Sequence, residues 1–254
     1  MTDGSALDAD VAARARAWHH AVQDSVCDVI EPWAHGTVVR APRYPTYWDF
    51  NAVRVEEDPK LSAEALVAFA DEALAGLAHR RVDLEFPAPE PLREGFGTLG
   101  WMTYRLVWMR HEGPAPSGPA ITVEQVPHGA VDHLRLAWHG EDFPGHDMGD
   151  HLVHAHEVAR LRGAEVLAVL ENGTPVAFAQ SSSDGRSTEI EAVYVGRDHR
   201  GKGLGTALTG AAITGAGDVE DLWIVADDEG RPKHLYGRLG FRPAWTAVQA
   251  LRLP

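Results

Sequence analysis

The fold of this chain is decided by the stretch Ile190–Thr206, which reads IEAVYVGRDHRGKGLGT. Its first six residues have the β-branched and aromatic composition of a strand, and a helix is predicted to begin at about Leu204. Three glycines at alternate positions lie between these elements, and Arg200 and Lys202 flank the first of them. Backbone N–H groups at a helix start lack intrahelical acceptors, and glycine lets an anion approach them closely. The stretch therefore predicts an anion-binding loop.

Two known nucleotide-binding loops have a similar pattern, and neither fits fully. Gly196 to Lys202 reads Gly-x-x-x-x-Gly-Lys, but the next residue is Gly203 instead of the Ser or Thr that binds magnesium in a Walker A loop. A Rossmann loop requires Gly-x-Gly-x-x-Gly and an acidic residue about twenty positions later, whereas Asp227 comes too late here. A P-loop nucleoside triphosphatase, with Leu222 to Asp227 as a weak second motif, and a glycine-rich turn without function remain alternatives.

The rest of the sequence alternates between helical and strand patterns, which predicts an α/β protein with a mixed sheet. The first half contains a predicted helix over Asp8–Trp33, a strand-rich stretch over Gly36–Val55, a helix over Ser62–Leu77, and strands at Arg81–Phe86 and Leu99–Met109. The second half contains a strand at Ile121–Val126, a helical pattern over Val131–Arg162, a hairpin of Glu165–Leu170 and Pro175–Ser181, strands at Thr188–Val195, Leu222–Ala226 and Ala247–Leu253, and helices from Leu204 and over Pro232–Leu239.

The two halves repeat this order at an offset of 140 residues. Leu99-Gly100-Trp101 corresponds to Leu239-Gly240-Phe241, and Val82 corresponds to Leu222. Few residues are identical, so chance similarity remains an alternative to a degenerate internal repeat. The Pro- and Gly-rich segment 113–119 is the predicted linker. We therefore expect an N-terminal domain over 1–112 and a second domain over 120–254.

Three segments of the second domain resemble the GNAT superfamily of acyl-CoA N-acyltransferases. The loop Arg200-Gly201-Lys202-Gly203-Leu204-Gly205 is similar to the family's Arg/Gln-x-x-Gly-x-Gly/Ala signature, and Ile190–Val195 resembles its fourth strand. Leu235–Phe241 is similar to the family's Leu-Tyr-x-x-x-Gly-Phe segment. The whole chain resembles tandem GNAT proteins whose N-terminal copy is degenerate. The resemblance implies transfer of an acetyl group from acetyl-CoA to a primary amine by direct attack, without a metal ion.

The resemblance also implies roles for single residues. The cofactor's pantetheine arm would bind the backbone of Val193, Tyr194 and Val195, and its pyrophosphate would bind the amides from Arg200 to Thr206, that is Arg200, Gly201, Lys202, Gly203, Leu204, Gly205 and Thr206. Tyr236 would protonate the thiolate leaving group, and Glu191 would accept the proton of the amine. Packing in the core for Tyr236, and simple solvation for Glu191, are the alternatives. A non-catalytic module that binds acyl-CoA or a nucleotide is the alternative for the whole domain.

The N-terminal half lacks the equivalent residues. The offset places Lys60–Ala65, which contains no glycine, where the loop would lie, and Phe96 where Tyr236 would lie. A productive cofactor site is therefore expected only in the second half. His151, His154 and His156 form a histidine-rich segment for which a wall of the substrate cleft or an exposed helix is favoured over metal binding, since no cysteine or second spaced pair accompanies them.

Composition limits the partners. The chain has 37 acidic and 23 basic residues and a net charge of −14, which disfavours nucleic acid and anionic membranes and is compatible with a cationic amine; solubility alone also explains it. Cys27 is the single cysteine, and neither a signal-peptide pattern nor an apolar run of about 18 residues is present. We expect a cytoplasmic protein, and the sequence does not fix its oligomeric state.

Overall fold

The computed structural model describes residues 8–114, 121–146 and 149–254. The helices of this part are α1 (Ala9–Asp24), α2 (Ala63–Ala73), α3 (Glu90–Thr98), α4 (Asp132–Asp142), α5 (His151–Leu161), α6 (Leu204–Ala216) and α7 (Pro232–Arg238). The strands are β1 (Val29–Trp33), β2 (Gly36–Arg40), β3 (Ala52–Val55), β4 (Arg80–Leu84), β5 (Met102–His111), β6 (Glu124–Val126), β7 (Glu165–Glu171), β8 (Thr174–Ser183), β9 (Ser187–Val195), β10 (Asp221–Asp227) and β11 (Phe241–Arg252). This confirms the predicted α/β class with a mixed sheet.

The chain divides into two compact units. Unit 1 contains the described residues up to Val107, together with Asp227–Glu229 and Ala244–Pro254; unit 2 contains the described residues of Trp108–Ala226 and Gly230–Pro243. The predicted linker 113–119 lies largely outside the described residues, so the domain boundaries predicted from sequence stay a prediction.

Unit 1 has the strand order β1-β2-β3-β4-β11. The first three strands are antiparallel neighbours, β3 and β4 are parallel, and β11 is antiparallel to β4. The side chains of α2 and α3 pack on this sheet around Leu66, Leu84 and Phe96, which are almost completely buried. The chain's last strand therefore completes the sheet of its first unit, since Val248 to Arg252 pair with Leu84 to Arg80.

Unit 2 repeats this plan. Its strand order is β10-β9-β8-β7-β6, with three antiparallel pairs followed by the parallel pair β9 and β10. The offset of 140 residues places α2 on α6, β4 on β10 and α3 on α7 to within a few residues. One core of this unit contains Phe178 and Tyr194, with Trp138 stacked on Tyr194 at a centroid distance of 5.7 Å. From β1 in unit 1 and from β7 in unit 2, the elements follow in the same order through α3 and α7, with the same change from antiparallel to parallel pairing.

Two predicted helices differ from the structure. The helix expected over Asp8–Trp33 ends at Asp24, and its last part forms β1 instead. Val26 and Ile30 are four residues apart, a spacing that places two side chains on one face of a helix and also on one face of a strand. The apolar pattern alone therefore did not show where the helix ends. The helical pattern over Val131–Arg162 is divided into α4 and α5. Within the described part of the chain, no helix combines the length and the apolar character needed to cross a bilayer.

Candidate functional site

An opening between β9 and β10 is the first feature of the candidate site. Their parallel pairing runs from Ser187 opposite Asp221 to Ile190 opposite Ile224, and the last five residues of β9 lie beyond this register. On its other edge β9 pairs with β8, where the register shifts so that Glu191 is the extra residue of a β-bulge. A strand that bends away from its neighbour leaves backbone N–H and C=O groups facing a gap, where an extended ligand can pair with them.

The loop that follows β9 has the geometry of an anion site. Gly201 and Gly203 have φ values of +78° and +81°, which are strained for residues with a Cβ atom. Gly203 is the N-cap of α6 and provides no side-chain acceptor, and the first intrahelical bond runs from the Ala207 N–H to the Gly203 carbonyl at 3.0 Å. The preceding amides, of Leu204 to Thr206, are therefore available to a phosphate at the positive end of the helix dipole.

Arg200 is held in place at the start of this loop. Its Nε donates to the Val195 carbonyl at 3.0 Å, its Nη2 donates to Glu141 Oε2 at 2.5 Å, and the guanidinium lies over the Tyr194 ring. The Tyr194 hydroxyl donates to the other oxygen of Glu141 at 2.9 Å. The hydrogen bond from Arg200 lowers the pKa of the Glu141 carboxyl, so this carboxylate is charged at neutral pH. Glu141 on α4 thus fixes the orientation of the Arg200 side chain, and the sequence did not predict this contact.

The start of α6 lies against both β9 and α7. A Cβ atom at Gly205 would lie 3.5 Å from Leu235 Cδ1 and 3.9 Å from Val195 Cγ2, which are ordinary van der Waals distances. Because Gly205 is also helical, neither packing nor backbone conformation requires glycine here. Close approach of a ligand to the backbone is the remaining physical reason for it.

Tyr236 follows Leu235 on α7 and is 6% exposed. Burial raises the pKa of its phenol to about 12, so the hydroxyl is protonated throughout the neutral range. Its ring meets Phe241 edge-on at 6.3 Å, and the hydroxyl has no hydrogen-bond partner among the described residues. A buried and protonated hydroxyl with no internal acceptor is available to donate to a ligand atom.

The comparisons with known proteins agree with this geometry. The sequence model of the acetyltransferase (GNAT) family matches residues 130–241. Those residues belong to the GNAT family. No curated protein matches the chain.

Solved structures share the fold of the whole chain. A functionally unknown conserved protein from Staphylococcus epidermidis ATCC 12228 has a TM-score of 0.72 at 18% identity, over 89% of this chain and 94% of that one. A GCN5-related N-acetyltransferase from Kribbella flavida has a TM-score of 0.55 at 21% identity, over 94% of each chain. A tandem GNAT protein from the clavulanic acid biosynthesis pathway has a TM-score of 0.50 at 17% identity, over 75% of this chain and 69% of that one. At these identities the likenesses show a shared fold.

In the GNAT domain, Glu191 belongs to a polar network that the sequence did not reveal. Its Oε1 is 2.5 Å from Arg162 Nη1 and accepts a hydrogen bond from Ser182, and its Oε2 accepts from Gln180 Nε2 at 2.7 Å. Arg135 on α4 in turn donates to Gln180 at 2.6 Å. Oε1 thus meets two donors, whereas Oε2 meets one and keeps a lone-pair position with which to accept a proton. Its catalytic role stays a prediction.

The histidine-rich segment lies on and beside α5, next to α4. His156 Nε2 lies 2.7 Å from Asp132 Oδ1. His139 Nε2 on α4 lies 3.3 Å from His146 Nδ1, and its ring is tilted towards that of His151 at a centroid distance of 6.0 Å. These contacts place the imidazoles along the α4–α5 pair. That these histidines form a wall of the substrate cleft stays a prediction.

Unit 1 differs from the GNAT domain at each equivalent position. Its parallel strands remain paired to the end of β3, with Val55 opposite Leu84 and the Glu85 amide donating to the Val55 carbonyl at 2.9 Å. The side chain of Ser62 caps α2 by accepting from the Ala65 amide, and Glu64 puts a negative charge in the first turn. An open strand edge and an uncapped helix start are thus found at β9 and α6 and not at their counterparts in unit 1.

Proposed function

We propose that the GNAT domain is an N-acetyltransferase that transfers the acetyl group of acetyl-CoA to the primary amine of a small molecule or peptide. One observation carries the proposal: β9 leaves β10 after Ile190 at the point where a glycine loop and an uncapped helix follow. The paired strands and capped helix of unit 1 act as an internal comparison within the same chain. The cofactor is therefore proposed to bind once per chain, in unit 2.

The proposed binding mode uses backbone groups for most contacts. The pantetheine arm pairs with the free edge formed by Val193, Tyr194 and Val195, and the pyrophosphate lies on the amides from Arg200 to Thr206. The positive ends of backbone dipoles neutralise the phosphates, so no magnesium ion is required. Arg200 and Lys202 add positive charge, and Glu141 fixes the direction of Arg200.

The proposed reaction is direct attack. The ammonium group of the acceptor loses a proton through water to Glu191, and the resulting amine attacks the thioester carbonyl. The C–N bond forms, the C–S bond breaks, and the electron pair remains on sulfur. The Tyr236 hydroxyl donates its proton to this thiolate, and because burial keeps the pKa of the phenol at about 12, the proton is present when it is needed. The nitrogen, positively charged once the C–N bond has formed, releases its second proton to water or to the Tyr236 oxygen, which restores the phenol and leaves the neutral amide.

Two assays test the proposal. Acetyl-CoA should raise the Tm of the protein, whereas ATP with magnesium should not; stabilisation by ATP alone would overturn the assignment of the loop. Release of free thiol from acetyl-CoA in the presence of a panel of primary amines should then identify acceptors. Binding without turnover on any amine, small molecule or peptide would favour the non-catalytic acyl-CoA module instead.

The variant pair Gly203→Ala and Gly215→Ala separates loop effects from general effects of glycine replacement. Gly203 has a left-handed backbone at the start of α6, whereas Gly215 lies within the same helix and has open space around it. Loss of acetyl-CoA binding in Gly203→Ala and its retention in Gly215→Ala is the expected result. Equal binding by both variants would contradict the proposed pyrophosphate site.

A further inference from the structure

A buried polar cluster in unit 1 has no counterpart in the GNAT domain. Asp83 on β4 and Glu85 directly after it are each only 3% exposed. His19 on α1 faces both, and one possible ligand atom of each of these three residues lies within 4.8 Å of the others. At the offset of 140 residues the corresponding positions hold Ala159, Trp223 and Val225. The fold therefore does not itself require polar groups at these places.

Glu85 is the carboxylate in this cluster that lacks an arginine within hydrogen-bond distance. Its Oε2 lies 2.6 Å from His20 Nε2, whereas its buried Oε1 accepts no hydrogen bond from any described residue. This Oε1 lies 3.8 Å from His19 Nε2, too far for a hydrogen bond. Burial raises the pKa of the Glu85 carboxyl, and a bound positive group would stabilise its charged form. The oxygen points towards the space shared with His19.

Neither nearby arginine donates to Glu85. Arg81 Nε donates to both oxygens of Asp83 at 2.8 and 3.2 Å, and its Nη1 is bonded to Asp49. Arg54 Nη1 donates to Asp24 at 3.0 Å. An acceptor position at Glu85 Oε1 therefore remains open to a bound cation.

We propose that His19, Asp83 and Glu85 bind a divalent transition-metal ion of the Zn²⁺ class. Two ligands of a tetrahedral Zn²⁺ with bonds of about 2.0–2.1 Å are separated by about 3.4 Å, so the 3.8 Å between His19 Nε2 and Glu85 Oε1 must contract by a few tenths of an ångström. One imidazole with two carboxylates leaves a fourth position for solvent. His20 holds the second oxygen of Glu85, as groups behind a metal ligand commonly do.

The site joins α1 to β4 within unit 1. The site is independent of the proposed acetyltransferase reaction, which needs no metal.

Metal binding by the full-length protein tests the proposal directly. The chain is stripped with a chelator and dialysed against Zn²⁺, and bound metal is measured by mass spectrometry; Co²⁺ provides an absorption spectrum that reports the ligand geometry. We expect one Zn²⁺ per chain and a higher Tm with Zn²⁺, and no such gain with Mg²⁺. His19→Gln and Glu85→Gln should each weaken binding at least about a hundredfold, and His20→Gln about ten- to a hundredfold.

His151→Gln, in the histidine-rich segment of α5, is the matched control and should keep the wild-type affinity. If Glu85→Gln does not fold, His19→Gln and the wild-type titration still decide the question. Wild-type protein that binds no Zn²⁺, or binding that survives His19→Gln but is lost in His151→Gln, would overturn the proposed site. Acetyl-CoA turnover is not needed for any of these readouts.

Discussion

Replacing Tyr236 by Phe removes one hydroxyl and leaves the ring in its place. The hydroxyl has no hydrogen-bond partner among the described residues, and the ring contact with Phe241 does not involve it. Removing a buried hydroxyl without an internal partner is nearly neutral for stability, so the Tm of Tyr236→Phe should equal that of the wild type. Any loss of activity in this variant therefore reports chemistry and not folding.

The expected loss follows from the pKa of about 12 that burial gives the phenol. At pH 8 only about one molecule in ten thousand is ionised, so the proton donor is present at full occupancy. General acid catalysis contributes about 10²–10⁴-fold, and a hundredfold loss in kcat corresponds to about 2.7 kcal/mol of barrier. The KM for acetyl-CoA should change little, because the hydroxyl acts on the leaving sulfur and not on the phosphates.

The measurement is the pH profile of kcat with an identified amine, for wild type and variant. A phenol with a raised pKa stays protonated between pH 9 and 11. Ionisation of Tyr236 should therefore cause no decline in the wild-type rate over this range. Full activity in Tyr236→Phe would refute the general-acid role. A decline near pH 10 that is present in the wild type and absent in the variant would refute the assigned protonation state.

Three further predictions concern other parts of the chain. Gly203→Ala places a Cβ at a φ of +81°, so we expect about 1–2 kcal/mol lower stability by urea denaturation and a higher KM for acetyl-CoA; an unchanged KM would argue against the loop as the phosphate site. Glu191→Gln removes the charge beside Arg162 and should lower kcat/KM about a hundredfold and alter the acidic limb of its pH profile, whereas a wild-type profile would exclude Glu191 as the base. Phe96→Ala empties a fully buried position in unit 1 and should cost about 3–5 kcal/mol in the free energy of unfolding without changing the KM of the folded fraction; a stability loss below 1 kcal/mol would contradict its place in the core.

The sequence predicted the glycine loop and most helices and strands because these depend on local patterns. Alternating glycines beside basic residues define a backbone shape, and the spacing of apolar residues defines each helix and strand. The positions of Gly201 and Gly203 before α6 were therefore predictable. The end of α1 at Asp24 was not predictable, because the apolar spacing of the helix continues into β1. The strand conformation of β1 depends on its pairing with β2.

Side-chain networks could not be predicted in the same way. Glu141 meets Arg200, and Arg162 meets Glu191, across separate elements of unit 2. Such pairs depend on how helices pack on the sheet, and no spacing rule in the sequence encodes it. The same holds for His19 and Glu85 in unit 1, whose approach follows from the placement of α1 against β4.

The pairing of β11 with β4 has a consequence for synthesis of the chain. Leu84 pairs with Val248, so the sheet of unit 1 remains one strand short until residues 248–252 have been made. During translation the exposed edge of β4 offers unpaired backbone groups to any passing strand, which is a hazard for aggregation. Formation of this long-range pair should make folding slow compared with that of a local hairpin. Removal of residues 245–254 would therefore destabilise unit 1, although these residues follow unit 2 in the sequence.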